Sequence, residues 1–112
     1  MKKTKHEVIF CIVNAGFSET AMDAAKEIGA RGGTVIHARG TANQEAEKLF
    51  NITIEPDKEI VMILVPAEIR DNILHALYHE VGLDTPGQGI AFAMPVDRVV
   101  GLSEPPVKKP TE

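Results

Sequence analysis

The stretch EVIFCIV, residues 7–13, decides the fold of this chain together with its counterpart EIVMILV at residues 59–65. Both are rich in β-branched and apolar residues, and a turn signal follows the first and a proline the second, which is typical of β-strands. Neither stretch alternates regularly between apolar and polar residues, as a strand with one wetted face does. We therefore expect two strands that are apolar on both sides.

Working outward from these strands, the chain alternates between helix and strand signals. Apolar residues recur at helical spacing over residues 19–30 and again from Pro66 to Gly82, and short β-branched or apolar runs mark further strands. A long polar segment, residues 41–58, separates the second and third strands, and either a short helix or a mobile loop is expected there. The remaining predicted strands are TVIHA at residues 34–38, IAFAM at 90–94 and, after a bend at Pro95, a short VDRVVGL at 96–102.

This order predicts an α+β fold, the ferredoxin-like βαββαβ sandwich with a short extra C-terminal strand. Such a fold places two helices on one face of a four-stranded antiparallel sheet. We expect one domain over residues 1–103, with residues 41–58 as its long loop. The proline-rich, charged tail at residues 104–112 is expected to be disordered.

The second face of that sheet has no helix to cover it. Because both central strands are apolar on both sides, an apolar surface of several hundred Å² would be exposed to water. Burying it would contribute a favourable free energy on the order of 10 kcal/mol before the costs of association. The sequence therefore predicts a closed homo-oligomer in which the sheets pack inward.

Composition limits the classes of partner. The chain has 112 residues, 44% of them hydrophobic, and a net charge of -4, which gives no general attraction for nucleic acid. Its apolar runs are too short to span a bilayer, and the N-terminal MKKTKHE leads into a strand rather than a signal-peptide core, so a cytoplasmic protein is expected. The single cysteine, Cys11, lies inside the first strand and is expected in the core.

No catalytic motif assembles in this sequence. It contains no Gly-x-Ser-x-Gly elbow, no His-Glu-x-x-His and no Walker lysine, so an enzyme is not expected. The candidate binding sites are instead glycine turns, above all Gly87-Gln88-Gly89, where backbone N–H groups lie open to an approaching anion. Gly33-Thr34 and Arg39-Gly40-Thr41, at the two ends of the second predicted strand, are further sites of this kind.

Taken together, ARGGTVIHARG, a variable loop, EIVMILVP, a second helix and TPGQGIAF resemble the PII signal-transduction family over roughly residues 5–103. The resemblance implies a homotrimer with a ferredoxin-like fold that binds ATP or ADP, and in many members 2-oxoglutarate, in clefts between subunits. It also implies that residues 41–58 form an effector loop that docks on a membrane transporter or an enzyme. ATP, ADP or AMP would be the effector here, and no cofactor is required.

The resemblance also implies roles for individual residues. Thr34, after Gly33, would face the adenine, and Gly40 would lie near the base and ribose, flanked by Arg39 and Thr41. Val65 would offer a backbone contact to the base. The turn Gly87-Gln88-Gly89 would hold phosphates through its N–H groups.

Three positions depart from the family pattern. A lysine that usually contacts the phosphates is replaced by Ile90, and two arginines near the end are replaced by Gly101 and Ser103. Each charge-assisted contact is worth roughly 1.5 to 3 kcal/mol, so triphosphate binding is expected to be weakened, with Arg39 and Arg98 as partial substitutes. The loop also lacks the tyrosine that some members modify by uridylylation, because Tyr78 lies in the second helix.

Two other readings stay open at this point. A divalent-metal-binding trimer of the same fold would use His75 and His79, one helical turn apart, or His37. A small enzyme at the subunit boundary would use Asp97 and Arg98 as its polar pair. Within the long loop, Leu49, Phe50 and Ile52 are expected either to bind a partner or to fold back on the protein.

Overall fold

The computed structural model describes residues 5–41, 44–52 and 54–102. Within them the chain forms four strands, three α-helices and one π-helix in the predicted order, and the α+β ferredoxin-like prediction is confirmed. The elements are β1 (His6–Asn14), α1 (Ser18–Ile28), β2 (Thr34–Arg39), α2 (Gln44–Phe50), β3 (Asp57–Pro66), α3 (Ala67–Leu77), the π-helix (Tyr78–Gly82) and β4 (Gly89–Val96).

The four strands form one antiparallel sheet in the order β2-β3-β1-β4, so the two apolar strands β1 and β3 lie at its centre. Asn14 pairs with Lys58, Val13 pairs with Gly89, and Arg39 pairs with Asp57. The ends of β1 and β2 and the beginnings of β3 and β4 therefore meet at one end of the sheet. The strands β2 and β4 are its outer edges.

One face of the sheet packs against α1 and α3 and forms the core. Alternate residues of the central strands point to this side and are fully buried, which is why a strand without polar residues suits the position. Cys11 is among them, and burial raises the pKa of its thiol to about 11. The core comprises Ile9, Cys11, Val13, Ala21, Ala24, Ala25, Ala30, Val61, Ile63, Val65, Ile73, Leu77 and Val81.

The opposite side, called the open face below, carries no helix in the isolated chain. Phe92 is 41% exposed and Ile90 is 58% exposed, and both lie on the outer strand β4. Phe10 and Phe92 stack across β1 and β4 with ring centroids 5.5 Å apart. By strand alternation and register, the open face comprises Val8, Phe10, Ile12, Ile36, Ile60, Met62, Leu64, Ile90, Phe92 and Met94.

The C-terminal end of the sheet differs from the prediction. The strand β4 runs through Pro95 to Val96 without a bend at the proline, because an outer strand tolerates a residue that has no N–H group. The predicted short strand at residues 96–102 does not form beyond Val96 in the described part of the chain. Those residues make bends with Val100 almost fully exposed, since they do not fold back to pair with a strand.

The segment between β2 and β3 contains the short helix α2, which was one of its two expected forms. The strand β3 begins at Asp57, two residues earlier than predicted. The parts of the loop prediction that fall on residues 42, 43 and 53, and the prediction of a disordered tail at residues 104–112, lie outside the described residues. The short length of α2 leaves most of its side chains exposed, and none of the seven is buried.

The start of α1 is held by a residue from another element of the fold. Ser18 is the first helical residue, and the carboxylate of Glu59 on β3 accepts hydrogen bonds from the N–H groups of Gly16 and Ser18 at 3.0 and 3.2 Å. A strand residue therefore satisfies the N–H group of the first helical residue and one just before the helix. None of the helices among the described residues has the length and apolar character needed to cross a membrane.

Candidate functional site

Polar side chains cross the sheet at the end where β1 finishes and where β3 and β4 begin. The Lys58 Nζ donates to Asn14 Oδ1 at 2.6 Å, and the Asn14 amide reaches the Gly87 carbonyl and Gln88 Oε1 at 3.3 and 3.4 Å. Gln88 Nε2 donates to the carbonyl of Val81 at 2.9 Å. We call Lys58, Asn14 and Gln88 the end row, since they connect three strands into one polar edge.

The Gly87-Gln88-Gly89 turn is held from both sides. Its N-terminal part is closed by hydrogen bonds from Thr85 N to the Gly82 carbonyl and from Gln88 N to the Thr85 carbonyl, at 2.9 and 3.1 Å. Gly89 has a φ of +150°, and a Cβ there would overlap the carbonyl oxygen of Ile12 on β1. Only glycine fits such a position, so the turn lies directly against the central strand.

Arg39, Gly40 and Thr41 lie at the end of β2, on the same end of the sheet as the glycine turn. The N–H of Gly40 donates to the Pro56 carbonyl at 2.7 Å, which closes the base of the long loop. A Cβ built on Gly40 would lie 3.2 Å from Cε of Lys58. The side chain of Lys58 therefore extends between the Gly40 site and Asn14.

The structure does not bring all the predicted site residues together in one chain. The β2 residues and the glycine turn lie at opposite outer edges, three strand spacings or roughly 14 Å apart. Thr34, next to Gly33, pairs with Met62 in the middle of the sheet, and the fully buried Val65 pairs with Glu7 near its far end. One chain thus contains parts of a site on two separate edges.

Lys58 and Asn14 are the site residues that sequence reasoning missed. Each lies at one end of an apolar run, Asn14 directly after the first and Lys58 shortly before the run at residues 60–65, but nothing in the sequence pairs them. Their contact depends on the antiparallel register of β1 and β3, which sets Asn14 opposite Lys58. A polar residue at the end of an otherwise apolar strand was the available signal.

Two of the three positions that depart from the family pattern lie among the described residues. Ile90 follows the turn on β4 with its side chain toward the open face, and Gly101 is exposed beyond that strand. Ser103 lies outside the described residues. Lys58 is thus a cation that the end row holds within two hydrogen bonds of Gly87, at a different place from the missing ones.

Apolar groups flank the turn. A shallow cavity of about 340 Å³ beside the start of β4 is lined by Leu74, Tyr78, Leu83, Gly89, Ile90 and Ala91. From the long loop, Ile52 and Ile54 approach Gly87, which has a φ of +82°. A ligand at the turn would therefore meet bare backbone and one cation among apolar side chains, which suits a partly apolar molecule of low charge.

The residues of the two other readings lie apart. The rings of His75 and His79 are in edge contact, with centroids 4.4 Å apart, whereas His37 is on β2 with its Nδ1 3.9 Å from a Glu59 carboxylate oxygen. Within residues 5–41, 44–52 and 54–102 there is no group of three or more His, Cys, Asp or Glu side chains placed to hold a metal ion. Asp97 and Arg98 follow β4 at the end of the sheet opposite the turn.

These observations define a class of protein, a ferredoxin-like sandwich with a long loop after its second strand and a glycine turn before its fourth. Within that class, the chain belongs to the P-II family, because the family model described as "Nitrogen regulatory protein P-II" matches residues 6–104. The resemblance inferred from the sequence is thereby confirmed. Proteins of this family are regulatory signal-transduction proteins.

Among solved structures, the chain is similar to PII from Arabidopsis thaliana, crystallised bound to citrate. The match covers 88% of this chain and 81% of that chain, with a TM-score of 0.67 and 21% sequence identity. At this identity the likeness supports the fold and carries no residue roles. A search of curated proteins gave no match.

Proposed function

We propose that this protein is a homotrimeric regulator that binds a small effector, an adenine nucleotide of low charge, in clefts between its subunits. Through the loop at residues 41–58 it would control a partner, either a membrane transporter or an enzyme. The observation that carries the proposal is the placement of the β2 residues and of the glycine turn on two opposite outer edges of a sheet whose open face is apolar.

The open face supports the assembly. Its side chains are as apolar as those of the core, and a contiguous surface of this kind is rare on a monomer. Inward packing of identical copies removes it from water, and a cyclic arrangement closes the assembly so that no further copies add. Such packing also brings the β2 edge of one copy near the β4 edge of the next.

The end row and the glycine turn support binding of an anion. Backbone N–H groups at a glycine turn attract negative charge, and the Lys58 ammonium adds a cation on the same edge. The Arabidopsis relative was crystallised with citrate, a small anion, which agrees with a site of this chemistry. Neutral residues at Ile90 and Gly101 favour ADP or AMP over ATP, because a triphosphate needs more cations than these positions supply.

A regulatory role, rather than catalysis, follows from what the site offers. Its groups are backbone amides, the end row of Lys58, Asn14 and Gln88, and apolar side chains, and among these described groups no base is positioned against a nucleophile. We expect the protein to work in the cytoplasm, where nucleotides are available, and to bind no nucleic acid because its net charge is -4. Ligand would act by shifting the arrangement of the loop.

Two measurements test the proposal. Sedimentation at micromolar concentration is expected to show a trimer, and calorimetry with ATP, ADP, AMP and cyclic AMP is expected to show saturable binding with AMP or ADP tighter than ATP. A monomer would remove the clefts and the proposed site with them. If none of the four nucleotides binds below about millimolar concentration, the effector is of another class.

A further inference from the structure

Two histidines at the junction of α3 and the π-helix take no part in the proposed nucleotide site. His75 and His79 are both exposed, and their rings are in edge contact with centroids 4.4 Å apart. Within the described part of the chain, neither ring has a hydrogen bond or an ion pair. The ring nitrogens are therefore open to a ligand from outside the chain.

The helical backbone places the two side chains on one face. Leu77 and Tyr78 both have α-helical φ and ψ values, so α3 continues into the π-helix without a break, and His75 and His79 lie one turn apart. At about 100° per residue, His75 is rotated roughly 200° from the buried Ile73. The histidine pair therefore points away from the core and stays accessible when the open faces of several copies pack together.

The arrangement of the rings is close to what a shared metal ion needs. Two imidazoles that bind one tetrahedral ion, with metal–nitrogen distances of about 2.0 to 2.1 Å, have ring centroids about 5 Å apart. The observed centroids are 4.4 Å apart, and a small rotation of two exposed side chains covers the difference. The ring of Tyr78 is in edge contact with that of His79 at 5.4 Å, which restricts the rotamers that His79 would lose on binding.

We propose that His75 and His79 form a binding site for a divalent transition-metal ion such as Cu²⁺, Ni²⁺ or Zn²⁺. Imidazole nitrogen suits these ions, whereas Mg²⁺ and Ca²⁺ prefer oxygen ligands. The pair is a two-ligand site, because the described residues add no third His, Cys, Asp or Glu side chain to it. Asp71, one turn before His75, instead accepts a hydrogen bond from Arg70 Nε at 2.9 Å.

Two protein ligands on an exposed helix face define the kind of site. Structural zinc sites are closed by four protein ligands, whereas an ion held by two keeps positions for water or for a ligand from another molecule. The ion bound by His75 and His79 is therefore exchangeable, and the chain folds without it. The site needs neither a nucleotide nor a second copy of the chain, so it is independent of the proposed function.

The first test is calorimetric titration of the full chain with Zn²⁺ and with Cu²⁺, without nucleotide and in a buffer that does not bind metals. We expect His79→Gln to bind either ion about 100-fold more weakly, because the second imidazole acts at a high effective concentration. Wild type should bind Cu²⁺ more tightly than Zn²⁺. Mg²⁺ should give no heat of binding at this site.

Two control variants separate the pair from histidine content. The double variant His79→Gln and Glu80→His keeps the number of histidines but moves one about 100° around the helix, at an exposed position, so its binding should be as weak as that of His79→Gln. His37→Gln removes an exposed histidine of β2 and should bind as the wild type does. Far-ultraviolet circular dichroism checks that each variant is folded.

A second readout identifies the ligands. Electron paramagnetic resonance of equimolar Cu²⁺ should show two imidazole nitrogens in wild type and in His37→Gln, and one fewer in His79→Gln. Because the pair is assembled only in the folded helix, Zn²⁺ should also raise the urea midpoint of wild type. It should raise the midpoint of His79→Gln much less.

Three outcomes would overturn the inference. The first is that neither Zn²⁺ nor Cu²⁺ binds wild type below about millimolar concentration. The second is equal affinity of wild type and the double variant, which would show adventitious binding to separate histidines. The third is a loss in His37→Gln as large as that in His79→Gln, which would place the ion elsewhere. None of these outcomes bears on nucleotide binding, which is measured separately.

Discussion

The two faces of the sheet are built from the same kinds of residue but differ in what covers them. On β3, Ile63 points to the helices and is fully buried, whereas Met62, its neighbour, points to the open face. On β4, Phe92 and Ile90 remain largely exposed in the isolated chain. The comparison shows that a strand apolar on both sides is suited to burial on both sides, although the helices of this chain bury only one.

The largest effect is expected for a charge placed on the open face. Phe92→Asp would put an uncompensated carboxylate beside Phe10 in every copy, and burying such an ion costs several kcal/mol each time. We expect the proposed trimer to dissociate into folded monomers. Analytical ultracentrifugation measures the mass of the particle, and far-ultraviolet circular dichroism shows whether the secondary structure is retained.

The corresponding control is Glu19→Gln, a change on the exposed surface of α1. This variant should keep the mass of the wild type. A trimer that survives Phe92→Asp would show that the open face is not the interface, and the contrast between the two faces would then have another cause.

A second prediction compares neighbouring residues of β3 that face opposite ways. In the Phe92→Asp background, where assembly does not contribute, Ile63→Ala should lower the free energy of unfolding by about 2 to 5 kcal/mol because it leaves a cavity in the core. Met62→Ala should lower it by about 1 kcal/mol or less, since Met62 lacks cover on one side. Urea unfolding followed by circular dichroism measures both, and equal losses would contradict the distinction between the faces.

Much of the fold could be predicted from the two apolar strands β1 and β3. The candidate site could be predicted only in part. The runs around Cys11 and Ile63 specify central strands by composition alone. The end row could not be predicted, because Lys58 and Asn14 are 44 positions apart and meet only through strand register. For the same reason, nothing in the sequence indicated that Glu59 would cap α1.

Two local errors have a similar origin. Residues 97–102 contain the β-branched pair Val99 and Val100, which favours a strand, but a strand forms only where a partner edge is available. The proline at position 95 predicted a bend because its place on an outer strand was not known. Propensity describes what a segment favours, and the neighbouring elements decide whether it is realised.

The third prediction concerns the rim of the open face. Lys58→Met removes the cation of the end row while keeping the aliphatic chain beside Gly40, so the affinity for AMP or ADP should fall by about 10- to 100-fold. Lys26→Met, on α1, is the matched control and should bind as the wild type does. Calorimetry measures both, and equal affinities would remove Lys58 from the site.

The smallest effect is expected on the helix-covered face, at Glu59. Hydrogen bonds from the Ser18 hydroxyl and from the N–H groups of Gly16 and Ser18 lower the pKa of this carboxyl below its usual value. A lowered folded-state pKa stabilises the protein above the unfolded-state value, and the contribution is lost as the pH falls through the folded-state pKa.

Glu59→Gln keeps the shape but removes this titration. The wild type should be the more stable protein at pH 6, and the difference between the two should shrink as the pH falls below the pKa of an unperturbed glutamate. Urea midpoints measured over this fall in pH give the difference. A difference that stays constant with pH would show that the ionised carboxylate is not what holds α1.

The uncovered sheet surface also has a consequence for biogenesis. In the proposed trimer, a newly synthesised copy has its apolar open face exposed to chaperones and to unrelated chains until it meets another copy. Productive refolding should therefore depend on concentration, with a bimolecular phase that is slow when copies are scarce. Dilution would lengthen the period in which each chain is vulnerable to misassociation, whereas a high local rate of synthesis would shorten it.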